Sequence, residues 1–121
     1  MEDFVPFEIA KKLKEKGFRE KVNAYYGKHE NIFDVHPALD MNDADYRASA
    51  PTISQVLKWL RDKKKIFIHI DVYENDKFDY FFGIAVQGDE TWERKYIGEE
   101  DYKTYELAAI AGIEYVIDNL I

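Results

Sequence analysis

Apolar residues recur at helical spacing in three stretches of the chain and alternate in others, and the switches between these two periods divide it into elements. Ile9, Ala10 and Leu13 make a narrow stripe, while Lys11, Lys12, Lys14 and Lys16 point elsewhere. Pro6 suits the first helical position, where its missing N–H costs nothing. Gly17 suits the stop, because a left-handed closing residue is free for glycine. Phe18 is placed to fold back on the helix end.

Residues 22–26 and 32–36 read as short strands joined by a hairpin loop over 27–31. Residues 37–50 show no period and are rich in Asp, Asn and Ala, so they read as a solvated loop. Thr52 and Gln55 have the spacing of a capping box just after Pro51. Ile53, Val56, Leu57 and Leu60 then recur at helical spacing, with Trp59 on the flank. Arg61, Lys63, Lys64 and Lys65 crowd the last turn, where the helix dipole favours cations.

From Ile66 the period becomes two. Ile66, Ile68, Ile70 and Val72 face one way, and Phe67, His69, Asp71 and Tyr73 the other. Residues 74–77 read as a turn, Phe78 to Gln87 as a strand apolar on both faces, and Thr91 to Ile97 as a strand of mixed character. Gly98 to Lys103 is an acidic loop, and Thr104 is a plausible N-cap for the last helix. Ala109, Ile110, Ile113, Val116, Ile117 and Leu120 cover one wide face of that helix, with Glu114, Tyr115 and Asp118 opposite.

The order is α-β-β-α-β-β-β-α, an α+β chain over residues 1–121 read as a single globular domain. Hairpins imply antiparallel pairing, and amphipathic helices need a sheet to cover. The pattern therefore predicts a five-stranded antiparallel sheet with three helices on one face.

That arrangement turns Phe67, His69, Asp71 and Tyr73 outward beside Phe81, Gly83 and Ala85, a partly aromatic surface around a glycine dip. Exposed apolar surface marks partner sites, so these residues, with Phe81, are the candidate interaction face. Two plainer readings compete. Phe67 and Phe81 could lie over Gly83 to fill its dip, or the 37–50 loop could cover the face.

Composition narrows the function. Apolar residues make up 46% of the chain and aromatic residues 16%, which suits a packed core rather than disorder. With no cysteine, the chain has no disulfide, thiolate zinc site or cysteine nucleophile. The start, Met1-Glu2-Asp3-Phe4, lacks the basic and apolar runs of a signal peptide, and no stretch approaches a membrane span. The expected address is the cytoplasm.

A net charge of −7 disfavours nucleic acid. Residues 1–65 carry 13 basic and 11 acidic side chains, whereas residues 66–121 carry 4 and 13, so the second half sets the acidity. Glu8, Glu15, Glu20 and Asp62 dilute the lysines of the first helix and of the 61–65 cluster into mixed, solvated faces.

No catalytic or metal-binding constellation stands out, and no cofactor is implied. Asp34-Val35-His36 with Asp40, Asn42, Asp43 and Asp45 looks at first like a metal loop, but for calcium Ala44 breaks the alternation and no glycine makes the turn. His69 and Asp71 share a strand face, where a carboxylate could orient an imidazole, yet no nucleophile is placed near them. The acids of 99–101 read as hydrated, and no phosphate-cradling glycine loop is present.

Three segments carry a likeness: Ala10 to Phe18 (AKKLKEKGF), Ala50 to Arg61 (APTISQVLKWLR), and Lys103 to Ala108 (KTYELA) leading into Ala111 to Glu114 (AGIE). In this order they resemble small uncharacterised proteins of gut Bacteroides-type bacteria and their phages and mobile elements. The resemblance implies a bacterial, mobile-element setting and carries no activity or functional residue with it. The chain is thus expected to be a non-enzymatic interaction module, a phage or prophage accessory protein binding another protein or its own copy. The alternatives are a small-ligand binder or enzyme using His69 and Asp71, and an acidic mimic of nucleic acid.

The last helix makes a sharp prediction. A lone helix of its length is marginal in water, so its apolar face must be buried. Each fully buried large aliphatic contributes about 1.5–3 kcal/mol, against a net domain stability of about 5–15 kcal/mol. Deleting residues from Ile113 onward should leave an unfolded or insoluble chain. A sharp thermal transition near that of the intact protein would contradict the assignment of helix and core.

Overall fold

The computed structural model describes residues 3–72 and 79–121. The expected turn over 74–77, the outward Tyr73 and the strand start at Phe78 lie outside the described residues. The chain packs as two compact units, Met1–Thr52 and Ile53–Ile121.

The first unit opens with α1 (Phe7–Glu15). Pro6 is its N-cap, in extended backbone, rather than its first helical residue. Its stop is the expected one. Gly17 has φ +85°, Gly17 N–H donates to Lys14 O at 3.2 Å, and Phe18 N–H donates to Leu13 O at 3.0 Å. This pair of bonds satisfies carbonyls that the helix end would otherwise leave open. Ile9, Ala10, Leu13 and Phe18 are all buried.

Strand β1 (Val22–Tyr26) pairs antiparallel with β2 (Ile32–Leu39) on one side and β3 (Ala48–Ser49) on the other. In the loop between β1 and β2, Glu30 N–H donates to Gly27 O at 3.1 Å, and Glu30 then takes φ 65°. A turn followed by one left-handed residue is a common way to close a three-residue hairpin. Pro37 falls within β2, which is an edge strand of the sheet order β2-β1-β3 and so can lose one N–H without breaking a ladder.

Residues 37–50 are not a solvated loop. Met41, Asn42, Ala48, Ser49 and Ala50 are buried, and the segment ends in β3. Asn42 holds it together. Its amide Nδ2 donates to Phe18 O at 2.7 Å, and its Oδ1 accepts from Ser49 N–H at 2.8 Å. Met41 N–H donates to Ser49 Oγ at 3.0 Å. One side chain thereby joins the end of α1 to the third strand.

The second unit comprises α2 (Ile53–Lys63), β4 (Ile66–Val72), β5 (Tyr80–Gln87), β6 (Trp92–Ile97) and α3 (Tyr105–Asn119). Its sheet runs β4-β5-β6, antiparallel throughout. Helices α2 and α3 pack on the face carrying Ile66, Ile68, Phe82 and Ile84. Trp59 of α2 is buried at 5% exposure rather than flanking, while Leu57 is only half-buried. Thr104 caps α3 as expected, its Oγ1 accepting from Leu107 N–H at 3.1 Å.

Ile113, Val116 and Ile117 of α3 are buried, but Leu120 is 37% exposed. Tyr115 is not on the outer face. Its ring stacks on Tyr96 at 4.0 Å between centroids. Gly112 explains the seating of the helix. A Cβ there would lie 2.8 Å from Ile68 Cγ2 and 3.3 Å from the Phe82 ring, so glycine lets α3 come close to the sheet.

The single five-stranded sheet with three helices on one face is therefore corrected. The described residues form two three-stranded sheets, with α1 in the first unit and α2 and α3 in the second. The two-residue β3 was too short to show a period. Hairpin patterning, moreover, specifies local partners and says nothing of whether two hairpins join. No helix among the described residues is long and apolar enough to cross a membrane.

The Asn42 bonds give the first structural test. Replacing Asn42 with Leu removes the partners of a buried carbonyl and a buried N–H, at about 1–3 kcal/mol for each group left unsatisfied. Thermal and urea denaturation should both show a clear loss of stability. An unchanged midpoint would mean that this amide is not what holds the segment.

Candidate interaction face

Strand period and register place the face. Phe67, His69 and Asp71 of β4 stand opposite Ala85, Gly83 and Phe81 of β5, as the alternation predicts. The helices take the other side of the sheet. Phe67 is 38% exposed, and His69 and Phe81 are half-buried. Tyr73, the remaining predicted member, lies outside the described residues.

The dip at Gly83 is filled, but not by Phe67 or Phe81. The His69 imidazole lies on it, so close that a Cβ on Gly83 would fall 2.0 Å from Nε2. The imidazole sits between Phe67, stacked at 6.4 Å and 25°, and Phe81, edge-on at 6.4 Å and 82°. Phe67 in turn meets Trp92 at 5.9 Å. The result is one row of rings, Trp92–Phe67–His69–Phe81, across the side of the sheet opposite α2 and α3.

His69 and Asp71 do not form a dyad. Asp71 Oδ1 accepts from the neighbouring Val72 N–H at 2.8 Å, and the imidazole is engaged with rings and backbone. Val72, which alternation puts on the same face as Ile66 and Ile68, is 50% exposed.

Trp92, Arg94 and Ile97 belong to this face but were not readable there. Simple alternation would group residues 92, 94 and 96. A register shift opposite Ile84 and Ala85 leaves Lys95 unpaired, so that Ile97 pairs with Gly83, Arg94 with Ala85 and Trp92 with Gln87. Trp92 is 46% and Ile97 43% exposed. The shift carries Tyr96 to the helix side, which is why it meets Tyr115 there.

The acidic segment after β6 is pinned rather than loose. Gly98 N–H donates to Phe82 O at 2.9 Å, and Tyr80 and Tyr102 exchange backbone hydrogen bonds of 2.8 and 2.9 Å. Lys103 Nζ donates to the buried Asp79 carboxylate at 2.7 Å, which raises the lysine's pKa. These contacts shape a cleft of about 360 Å3 beside Tyr96, Tyr102 and Tyr115, with Glu99, Glu100, Glu114 and Asp118 among its lining. Burial, and then the Glu100 charge, raise the Tyr102 pKa. Among the described residues, no group of three or more His, Asp or Glu side chains is arranged to hold a metal ion.

No family model, curated protein or solved structure matches the chain.

The filled dip is testable. Gly83→Ala should shift stability by no more than about 1 kcal/mol, the span of strand preferences, because the obstructing atom is the free end of a side chain. The imidazole, however, must leave its place between the two phenyl rings. Its ring protons should change their NMR shifts as the ring currents of Phe67 and Phe81 are lost. Unchanged His69 shifts in the folded variant would show that the ring does not lie over Gly83.

Proposed function

We propose that this chain is a non-enzymatic protein-interaction module whose partner docks on the face of the second sheet opposite α2 and α3. The row Trp92–Phe67–His69–Phe81 carries the reading. Contiguous exposed apolar surface marks interaction sites. Aromatic side chains are also the groups most often found to dominate binding energy at the centre of protein interfaces. Asp71 and Arg94 are exposed on the same face and supply polar groups around the rings. The resemblance to phage and mobile-element proteins supports a host or phage protein in a bacterial cytoplasm as the partner. A second copy of the chain is the close variant.

His69 in this reading shapes the surface by filling the Gly83 dip. Asp71 bonds a backbone N–H rather than the imidazole, which favours this packing role over an acid–base dyad.

The Phe67→Ser/Phe81→Ser double variant tests the proposal. It should stay folded and lose partner capture from the native host, each hot-spot ring being worth about 2 kcal/mol or more. Sedimentation at high concentration separates the two partner types. Self-association abolished by the double variant identifies a second copy, and a monomer at all concentrations leaves a foreign protein. Identical capture by parent and folded variant would sink the proposal.

A further inference from the structure

A cleft of about 530 Å3 opens in the first unit, a size that suits a small molecule. Lys11, Lys14, Lys28 and Arg47 line it, against two carboxylates, Glu15 and Asp45. It is thus locally cationic in a chain of net charge −7. The lining also contains the rings of Phe7, Tyr26 and Tyr46.

The parts are not equally free. Lys14 Nζ donates to the backbone carbonyls of Ala44 and, at 2.6 Å, Arg47, so its role is to pin that segment. Tyr26 donates its hydroxyl proton to Val5 O at 2.7 Å, and its ring meets Phe7 edge to face at 5.4 Å and 81°. These groups form the rigid wall.

The others remain available. Tyr46 is 65% exposed. Lys28 has no partner among the described residues, and Lys11 has only an exposed pairing with Glu8 at 3.8 Å besides its place 5.2 Å from the Phe7 ring centre. The Arg47 guanidinium bonds Asp43 and lies 5.5 Å from the Tyr46 ring centre; its Nε is buried, so what it offers the cleft is charge rather than a free donor. Two lysines with donor capacity to spare, lining the same cleft as an open ring, call for a ligand that is both flat and anionic.

We infer that this cleft binds a small aromatic anion of the nucleoside monophosphate class. The ring system stacks on Tyr46, and the phosphate is drawn to Lys11, Lys28 and Arg47. Glu15 and Asp45 in the lining, with the acidity of the whole chain, select against an extended polyanion such as nucleic acid. The rings select against a bare inorganic anion.

The test is a titration of the full 15N-labelled chain with adenosine 5′-monophosphate at low salt, followed by NMR. Saturable shifts should centre on the amides of Lys11, Lys28, Tyr46 and Arg47. Adenosine alone and inorganic phosphate alone should each bind at least about tenfold more weakly, since stacking and charge-assisted bonds both contribute. Lys11 and Lys28 are exposed, so Lys11→Gln/Lys28→Gln should fold like the parent and lose affinity at least about tenfold. Three results would overturn the inference: no saturable shift at millimolar ligand, shifts centred elsewhere, or equal affinity in the double variant. Phosphate or adenosine binding as well as the nucleotide would overturn it too, because the site would then read only one half of the ligand.

Discussion

The close approach of α3 to its sheet at Gly112 decides how the second unit can be used. Only a residue without a side chain lets the helix axis come down onto Ile68 and Phe82. With α3 seated there and α2 beside it on β4, one side of the three-stranded sheet is closed. On the other side the described residues of the sheet fill their own gaps. Gly83, on the central strand, would leave a hole in that side, and the His69 imidazole fills it from the adjacent strand. The same need for close contact thus places glycine on the helix side and recruits an imidazole on the open side.

The first unit meets a different constraint. Its third strand is two residues long and cannot hold its place by ladder bonds alone. Asn42 compensates by bonding both Phe18 O and Ser49 N–H, and Lys14 adds bonds to the carbonyls of Ala44 and Arg47. Buried polar groups of this kind stabilise only when every partner is in place, so they specify one conformation of the 40–49 segment. The cleft that carries Tyr46 and Arg47 owes its shape to that specification.

These facts explain what could be read from the chain in advance. The helices, the first hairpin and the face shared by Phe67, His69 and Asp71 were legible because periodicity reports local geometry directly. The joining of strands into sheets was not, since two sheets and one sheet present the same alternation. Ile97 was hidden by the unpaired Lys95, which breaks the period in the strand and exchanges the faces of Tyr96 and Ile97. Asn42 was hidden by its type: a polar residue in an aperiodic, acid-rich segment reads as solvated, and only its long-range partners, 24 residues away in one case, show otherwise.

The outer edge of β6 bears on the proposed docking to the second unit. Edge strands invite pairing with other chains, and proteins discourage it with charges and bulges. Here Glu93, Arg94 and Lys95 sit in succession on the edge strand, and Lys95 is the bulged residue. A partner adding a strand there would meet a kinked, charged backbone. The adjoining face offers the reverse, aligned rings with the glycine dip already levelled by His69. Strand addition and face docking are therefore not equivalent routes. The first needs backbone that this edge withholds, and the second needs the apolar surface that the row of rings presents.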